Sequence, residues 1–330
     1  MLPASRGGPA ASAMPPTGLT RATARLKALA LGESLRRNPA FYPSALRMFD
    51  ALEAAPLEGR RRRVAARLRQ VLRSASGTPY GRRAGGGERL EDWPLLENAA
   101  VRDDPEAFRS ARRWWNVPAA TGGTTGVPVR LVRSPRSIAV EQASIDRLLR
   151  ACGVDPVRAR VAVLRGDNVK SVEDRRPPFW TFALEGRRMV MSSNHLNANS
   201  VAAYADALQE FRADYWWIYP TSLEALCRLL AAQGLALRVP LALTSSEVLS
   251  PAVREQAARA LGCEVVDYYG QAERVCFAYS LRPGEYRFLP GYGFVELIPQ
   301  GADDGTTCSR SSERRCGIPR WRWCATAPGT

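Results

Sequence analysis

Between Ala120 and Pro128 the chain reads Ala120-Thr121-Gly122-Gly123-Thr124-Thr125-Gly126-Val127-Pro128. Glycine lets a backbone take positive φ and come close to a ligand, and threonine hydroxyls both donate and accept hydrogen bonds. A loop of this composition can cradle a polyphosphate with its N–H groups. It lacks the Gly-Lys-Ser/Thr ending of a Walker loop, and composition alone also allows a plain surface turn. Further along, Thr244-Ser245-Ser246-Glu247 and Asp267-Tyr268-Tyr269-Gly270-Gln271-Ala272-Glu273 gather hydroxyls, aromatic rings and carboxylates. Taken alone, Glu273 reads as an exposed carboxylate at a helix start. Tyr269 reads either as a ring against a ligand or as a core aromatic. His195 is the single histidine, and taken alone it reads as a neighbour of a helix cap.

The elements that would hold these residues follow from hydrophobic period and breakers. From Gly18 to about Arg73 the pattern is helical, with Val64, Leu68, Val71 and Leu72 on one stripe. Glycine clusters from Gly77 to Gly87 then interrupt it. Val129 to Val132 is strand-like. Ile138, Ile145, Leu148, Leu149 and Cys152 fit a helix, Val161 to Leu164 a buried strand, and Tyr204 and Leu208 a helix after Asn194-His195-Leu196. A regular alternation follows: strand Tyr215 to Tyr219, helix Ser222 to Ala232, strand Leu241 to Thr244, helix Pro251 to Leu261, strand Glu264 to Tyr269. Such spacing implies an α/β fold with parallel strands and right-handed crossovers. Ligands of such sheets bind beyond the carboxyl ends of the strands, where Thr244 to Glu247 and Tyr269 to Glu273 both fall.

Composition narrows the function classes. The chain has 330 residues, 45% of them apolar, and a formal charge of +15, enough for one large domain or two subdomains. Lys27 and Lys170 are the only lysines among 47 basic residues. That bias reflects arginine-rich coding more than phosphate contacts, and no specific nucleic-acid partner is expected. The densest run, Arg60 to Arg63, starts a helix whose other face is apolar, so it reads as a solvated face. Seven cysteines show no metal-ligand spacing, and Cys152, Cys227 and Cys263 read as small core residues. No apolar run is long enough for a membrane span, and a cytoplasmic location is expected. Residues 1–17 read as a disordered leader.

Two of these stretches carry a family resemblance. The glycine-threonine loop resembles the phosphate loop of the adenylate-forming (acyl-CoA synthetase-like) superfamily, and Tyr269-Gly270-Gln271-Ala272-Glu273 is similar to its Tyr-Gly-x-Thr-Glu motif. Their order and layout resemble the phenylacetate–CoA ligase and CapK-type branch over about Arg67 to Ile298. The resemblance implies the large N-terminal domain of that fold, with parallel-sheet subdomains and a helical N-terminal region, over residues 18–302. It implies ATP, magnesium and coenzyme A as cofactors, a small and in some members aromatic carboxylic acid as substrate, and leaves a homodimer open. The activity implied is acyl-adenylate formation followed by transfer to CoA, with a CapK-type transfer for polysaccharide synthesis or a non-catalytic nucleotide-binding module as alternatives.

By the same resemblance Thr121, Gly122, Gly123, Thr124, Thr125 and Gly126 would hold the β- and γ-phosphates, with Thr125 taking part in catalysis. Ser245, Ser246, Glu247, Tyr268, Tyr269 and Gly270 would form the adenine side, and Glu273 would hold magnesium. Ser193-Asn194-His195-Leu196 is similar to a family segment near the acyl pocket, giving His195 a catalytic place. Trp216, Trp217 and Tyr219 would either wall an aromatic acyl pocket or pack in the core. Ala272 stands where the family has threonine, and Glu97 stands near a place where a lysine is usual.

From about Asp303 the family pattern stops. Reading Thr307 to Thr330 from the third base of each codon, with suitable synonymous codons, yields a strand-like string that ends Arg-Tyr-Arg-Thr-Gly-Asp. That ending resembles the family's next motif, whose aspartate grips the ribose hydroxyls. The expectation is therefore a frameshifted tail over residues 303–330, without the small C-terminal domain and its lysine, and with adenylation severely reduced.

Overall fold

Pro56 divides the first helical stretch in two. The computed structural model describes residue 32 and residues 34–96, 98–110, 115–121 and 128–295. Helix α1 (Tyr42–Glu53) ends before Ala54-Ala55-Pro56, and helix α2 (Leu57–Ser76) begins with Pro56 as its N-cap residue. Proline cannot continue a helical hydrogen-bond ladder, yet it readily precedes a new one. On α2, Val71 and Leu72 are buried while Arg61, Arg62 and Arg63 face water, so the arginine run lies on a solvated face. Helices α3 (Pro79–Ala84) and α4 (Asn98–Asp103) follow.

Strands β1 (Val117–Ala120) and β2 (Arg130–Arg133) form an antiparallel pair of their own, in which Ala120 faces Arg130. Helix α5 (Pro135–Ala151) leaves β2 directly. Its cap is Ser134, whose hydroxyl accepts the Ser137 N–H, satisfying one of the orphan donors of the first turn.

The main sheet is built from β3 (Val161–Leu164), β4 (Trp180–Ala183), β5 (Arg188–Met191), β6 (Tyr215–Ile218), β7 (Leu241–Ser245), β8 (Glu264–Gly270), β9 (Phe277–Arg282) and β10 (Glu285–Phe288). Helix α6 (Val201–Phe211) precedes β6, α7 (Pro220–Ala232) joins β6 to β7, and α8 (Pro251–Leu261) joins β7 to β8. The spatial order is β10-β9-β8-β7-β6-β3-β5-β4. The five strands from β8 to β5 run parallel, and antiparallel strands flank them on both sides. The α/β alternation expected between residues 215 and 269 is present, with β7 and β8 each one residue longer and β6 one residue shorter than read. Helix α7 starts two residues earlier, at Pro220.

Both faces of the parallel strands are covered, which is why Tyr215-Trp216-Trp217-Ile218 is apolar at every position and buried throughout. Neighbours along a strand point to opposite faces. Trp216 and Ile218 pack with Tyr204, Leu208, Leu223 and Leu226 of α6 and α7. Tyr215 and Trp217 pack on the other side with Phe49 of α1 and Ile145 and Leu149 of α5. This corrects one expectation: Trp216 and Trp217 belong to different layers and cannot wall a single pocket. The outer strands β4, β9 and β10 were not foreseen, and among the described residues no helix is long and apolar enough to cross a membrane. The leader at 1–17 and the tail at 303–330 lie outside the described residues.

Candidate active site at the carboxyl ends of the parallel strands

Strands β3 and β6 are neighbours whose onward connections run to opposite sides, β3 toward β5 and β6 toward β7 and β8. Such a switch point opens a crevice above the strand ends. The residues that leave the strands there are Arg165 after β3, Tyr219 after β6, Ser246 and Glu247 after β7, and Gln271 to Glu273 after β8.

The glycine-threonine segment is the link between β1 and β2. Thr121 closes its base twice: its N–H donates to the Val129 carbonyl at 3.1 Å, and its hydroxyl accepts the Val129 N–H at 2.9 Å. Gly122, Gly123, Thr124, Thr125 and Gly126 lie outside the described residues. The hairpin is tied to the Tyr-Gly loop by two arginines that cross between them. Arg133, the last residue of β2, donates Nε–H and Nη2–H to the Ala272 carbonyl at 3.1 and 2.8 Å. Arg274 donates Nη1–H back to the Ser137 carbonyl in the first turn of α5 at 2.6 Å. Arg274 does this with φ of 59°, an uncommon conformation for a residue with a side chain, and one that clusters at ligand sites. The β1–β2 hairpin and the Tyr-Gly loop, far apart in sequence, thus meet in space.

Glu273 is half-buried beside these arginines. Burial pushes its carboxyl pKa up, and the nearby charge of Arg133 pulls partly against that. No group of three or more His, Cys, Asp or Glu residues able to hold a metal is found among the described residues. Magnesium usually takes one or two carboxylates and completes its shell with water and substrate phosphate oxygens. A single partly desolvated carboxylate fits that donor set, and Glu273 is the residue that would supply it.

The remaining expected site residues divide. Tyr269 is half-buried, and its hydroxyl accepts the Gln271 Nε2–H at 3.1 Å. Gly270 ends β8, where an added Cβ would lie 3.7 Å from Glu141 Oε1. Ser246 is exposed at φ 72°, and Ser245 beneath it is buried. Glu247 is occupied: its carboxylate accepts the Thr221 N–H at 3.0 Å and the Thr221 hydroxyl at 3.1 Å, capping the first turn of α7.

Two expectations need correction. Tyr268 belongs to the core, 6% exposed and stacked on Phe277 with centroids 5.2 Å apart, because strand alternation turns it away from the face that Tyr269 takes. His195 is 4% exposed. Its Nδ1 lies 2.7 Å from the Ser192 hydroxyl and its Nε2 3.2 Å from the Ser171 carbonyl, with the ring stacked on Phe179. With both nitrogens engaged inside the chain, the ring is placed to brace the loop after β5.

Three arginines escaped the sequence reading: Arg133, Arg274 and Arg165. Each had a legible signal, since Arg133 ends a strand-like run, Arg165 follows a buried strand and precedes Gly166, and Arg274 follows the Glu273 motif directly.

Comparison with known proteins now adds a family. Residues 120–300 match the family model described as AMP-binding enzyme. Protein CapK of Staphylococcus aureus is 21% identical over 209 residues, which cover 63% of this chain and 46% of CapK. Among solved structures, 2-hydroxyisobutyryl-CoA ligase in complex with 2-HIB-AMP and CoA is 17% identical with a TM-score of 0.46, covering 66% of this chain and 50% of that chain. VinN is 18% identical with a TM-score of 0.35, covering 54% and 43%. The chain spans about half the length of these relatives. With more than half of its residues inside the family match, the chain belongs to the AMP-binding enzyme family, the adenylate-forming enzymes whose glycine-threonine loop and Tyr-Gly motif it carries.

Proposed function

We propose that this chain supplies the nucleotide site of an enzyme that activates a small carboxylic acid as its acyl-adenylate, with release of pyrophosphate from ATP and later transfer of the acyl group to CoA. The observation that carries the reading is the pair of crossed ties, Arg133 to Ala272 and Arg274 to Ser137, which join the phosphate-loop hairpin to the Tyr-Gly loop at the sheet's carboxyl end. Attack of a carboxylate on the α-phosphate builds charge on phosphate oxygens, so donors fixed in advance are what the step requires. Here the backbone of residues 121–126 and the Thr125 hydroxyl would meet the β- and γ-phosphates. Tyr269 and Ser246 would border adenine, and Glu273 would hold magnesium. His195 and Glu247 would act by shaping the strand-end loops. An aromatic acid of the phenylacetate type and a cytoplasmic setting, where ATP and CoA are present, accord with the CapK-type layout. The segment 303–330 would be the out-of-frame remnant of the continuation that carries the Arg-Tyr-Arg-Thr-Gly-Asp motif, which resequencing the gene beyond codon 295 tests directly.

Calorimetric titration of the purified chain with MgATP tests the site. Thr125→Ala is expected to weaken binding by about tenfold, the loss of one hydrogen bond to a charged group. A wild-type chain that binds MgATP no better than an unrelated basic protein would end this reading.

A further inference from the structure

We propose that the cavity at the amino ends of β3, β5 and β6 is a second binding site, which takes a small monocarboxylate with an apolar body. It lies at the opposite end of these strands from the crevice described above, and it does not depend on that crevice binding ATP.

The cavity measures about 400 Å³, within the range that small-molecule sites occupy. Its floor is one row across the sheet. Val161 opens β3, and its register partners are Arg188 of β5 on one side and Tyr215 of β6 on the other. All three line the cavity, as does Trp217 further along β6. Gln142 and Ile145 of α5 form the wall facing this row, and Arg187 stands in the turn that leads into β5.

Charge and apolar surface divide along the row. Arg187 and Arg188 line one end, and no carboxylate of the described residues lines the cavity. The third arginine of the lining, Arg37, is already matched: its Nε–H and Nη2–H donate to the Asp146 carboxylate at 2.8 and 2.9 Å. Arg187 is half-buried, and its Nη1–H donates to the Val157 carbonyl. The other end is apolar, since Ile145, Val161, Tyr215 and Trp217 all belong to the packed layer between α1, α5 and the sheet. A guanidinium pairs well with a carboxylate, and their attraction grows where a wall of low dielectric keeps water away. Hydrocarbon laid on the apolar end is removed from water at the same time.

The row also sets the size of the ligand. Arg188 and Tyr215 are separated by β3, hence by two strand spacings, about 10 Å. An acid whose carboxylate meets the arginine end and whose body lies over Val161 toward Tyr215 has at most that length. One aromatic ring or a short alkyl chain satisfies it.

The test uses the full chain and three probes: benzoate, benzyl alcohol and acetate, each titrated by calorimetry into the wild type, Arg187→Gln and Arg188→Met. MgATP is titrated separately. Wild type is expected to bind benzoate about tenfold or more tighter than benzyl alcohol, which lacks the charge, and than acetate, which lacks the body. Arg187→Gln and Arg188→Met should each weaken benzoate by about tenfold and leave MgATP binding within about twofold. Absence of benzoate binding overturns the proposal, as does benzoate bound no tighter than benzyl alcohol or acetate. Benzoate binding that neither arginine variant weakens also overturns it, because the acid then sits elsewhere on the chain. If Arg188→Met does not fold by circular dichroism, Arg187→Gln decides. Arginine-dependent benzoate binding without MgATP binding would keep this site and sink the acid-activating reading; MgATP binding without it would do the reverse.

Discussion

Replacing Arg133 by methionine keeps most of the side-chain stem and removes the fork that joins the hairpin to the Ala272 carbonyl. Both donors end on one oxygen, at 2.8 and 3.1 Å. A hydrogen bond from a charged donor contributes about 1.5–3 kcal/mol net. Because the two share an acceptor and Arg133 is only half-buried, about 2 kcal/mol for the pair is the reasonable figure. Residues 271–274 are half-buried and none of them lies in either apolar layer, so the loop is expected to open locally while the sheet stays folded. A ligand then meets fewer closed molecules, and its apparent affinity falls by the closed fraction. Two kcal/mol corresponds to about 30-fold, which is the upper limit of the loss. The assay pairs MgATP titration with urea unfolding and amide exchange at residues 271–274. Weaker nucleotide binding, faster exchange in the loop and a nearly unchanged urea midpoint are expected. Unchanged nucleotide affinity with faster loop exchange would refute the reasoning, since the loop would then open without consequence for the nucleotide.

Two further outcomes follow from the same geometry. Burial raises the Glu273 pKa, so a proton competes with magnesium at a higher pH than for an ordinary glutamate near 4.3. MgATP affinity should fall as pH drops through that raised value, and Glu273→Gln should bind weakly with no such pH step. For the chain without ligand the sign is opposite: a raised carboxyl pKa gives stability at low pH that is lost as Glu273 ionises, so Glu273→Gln should be the more stable protein at neutral pH by thermal unfolding. Trp216 is 2% exposed between the sheet and α6–α7, and Trp216→Ala should cost about 3–5 kcal/mol in urea unfolding. Val248→Ala, at a position 92% exposed, should stay within about 0.5 kcal/mol, and similar losses at both positions would contradict the layer assignment.

The alternation from Tyr215 to Gly270 was legible because each element has its own local signature. Buried parallel strands read as unbroken apolar runs, and Pro251 marks a helix start. The family was legible for the same local reason, since the glycine-threonine run and the Tyr-Gly motif are each contiguous in sequence. Strands β9 and β10 were missed although Pro283-Gly284 is a turn signal, because β10 is exposed along its length and so carries no apolar period to read.

What the sequence by itself determined about this protein is therefore its α/β class and its family resemblance. What only the tertiary structure decided is which face each side chain takes and which distant groups meet. Trp216 and Trp217 are adjacent and alike in sequence, yet strand geometry sends them to opposite layers. Tyr268 and Tyr269 part in the same way, one buried in the core and one half-buried. His195 is the single histidine in the sequence, and only the fold shows its ring buried between Ser192, the Ser171 carbonyl and Phe179. Arg133 and Arg274 are two among many arginines until the fold joins the hairpin and the Tyr-Gly loop through them, because such long-range juxtaposition has no local signature.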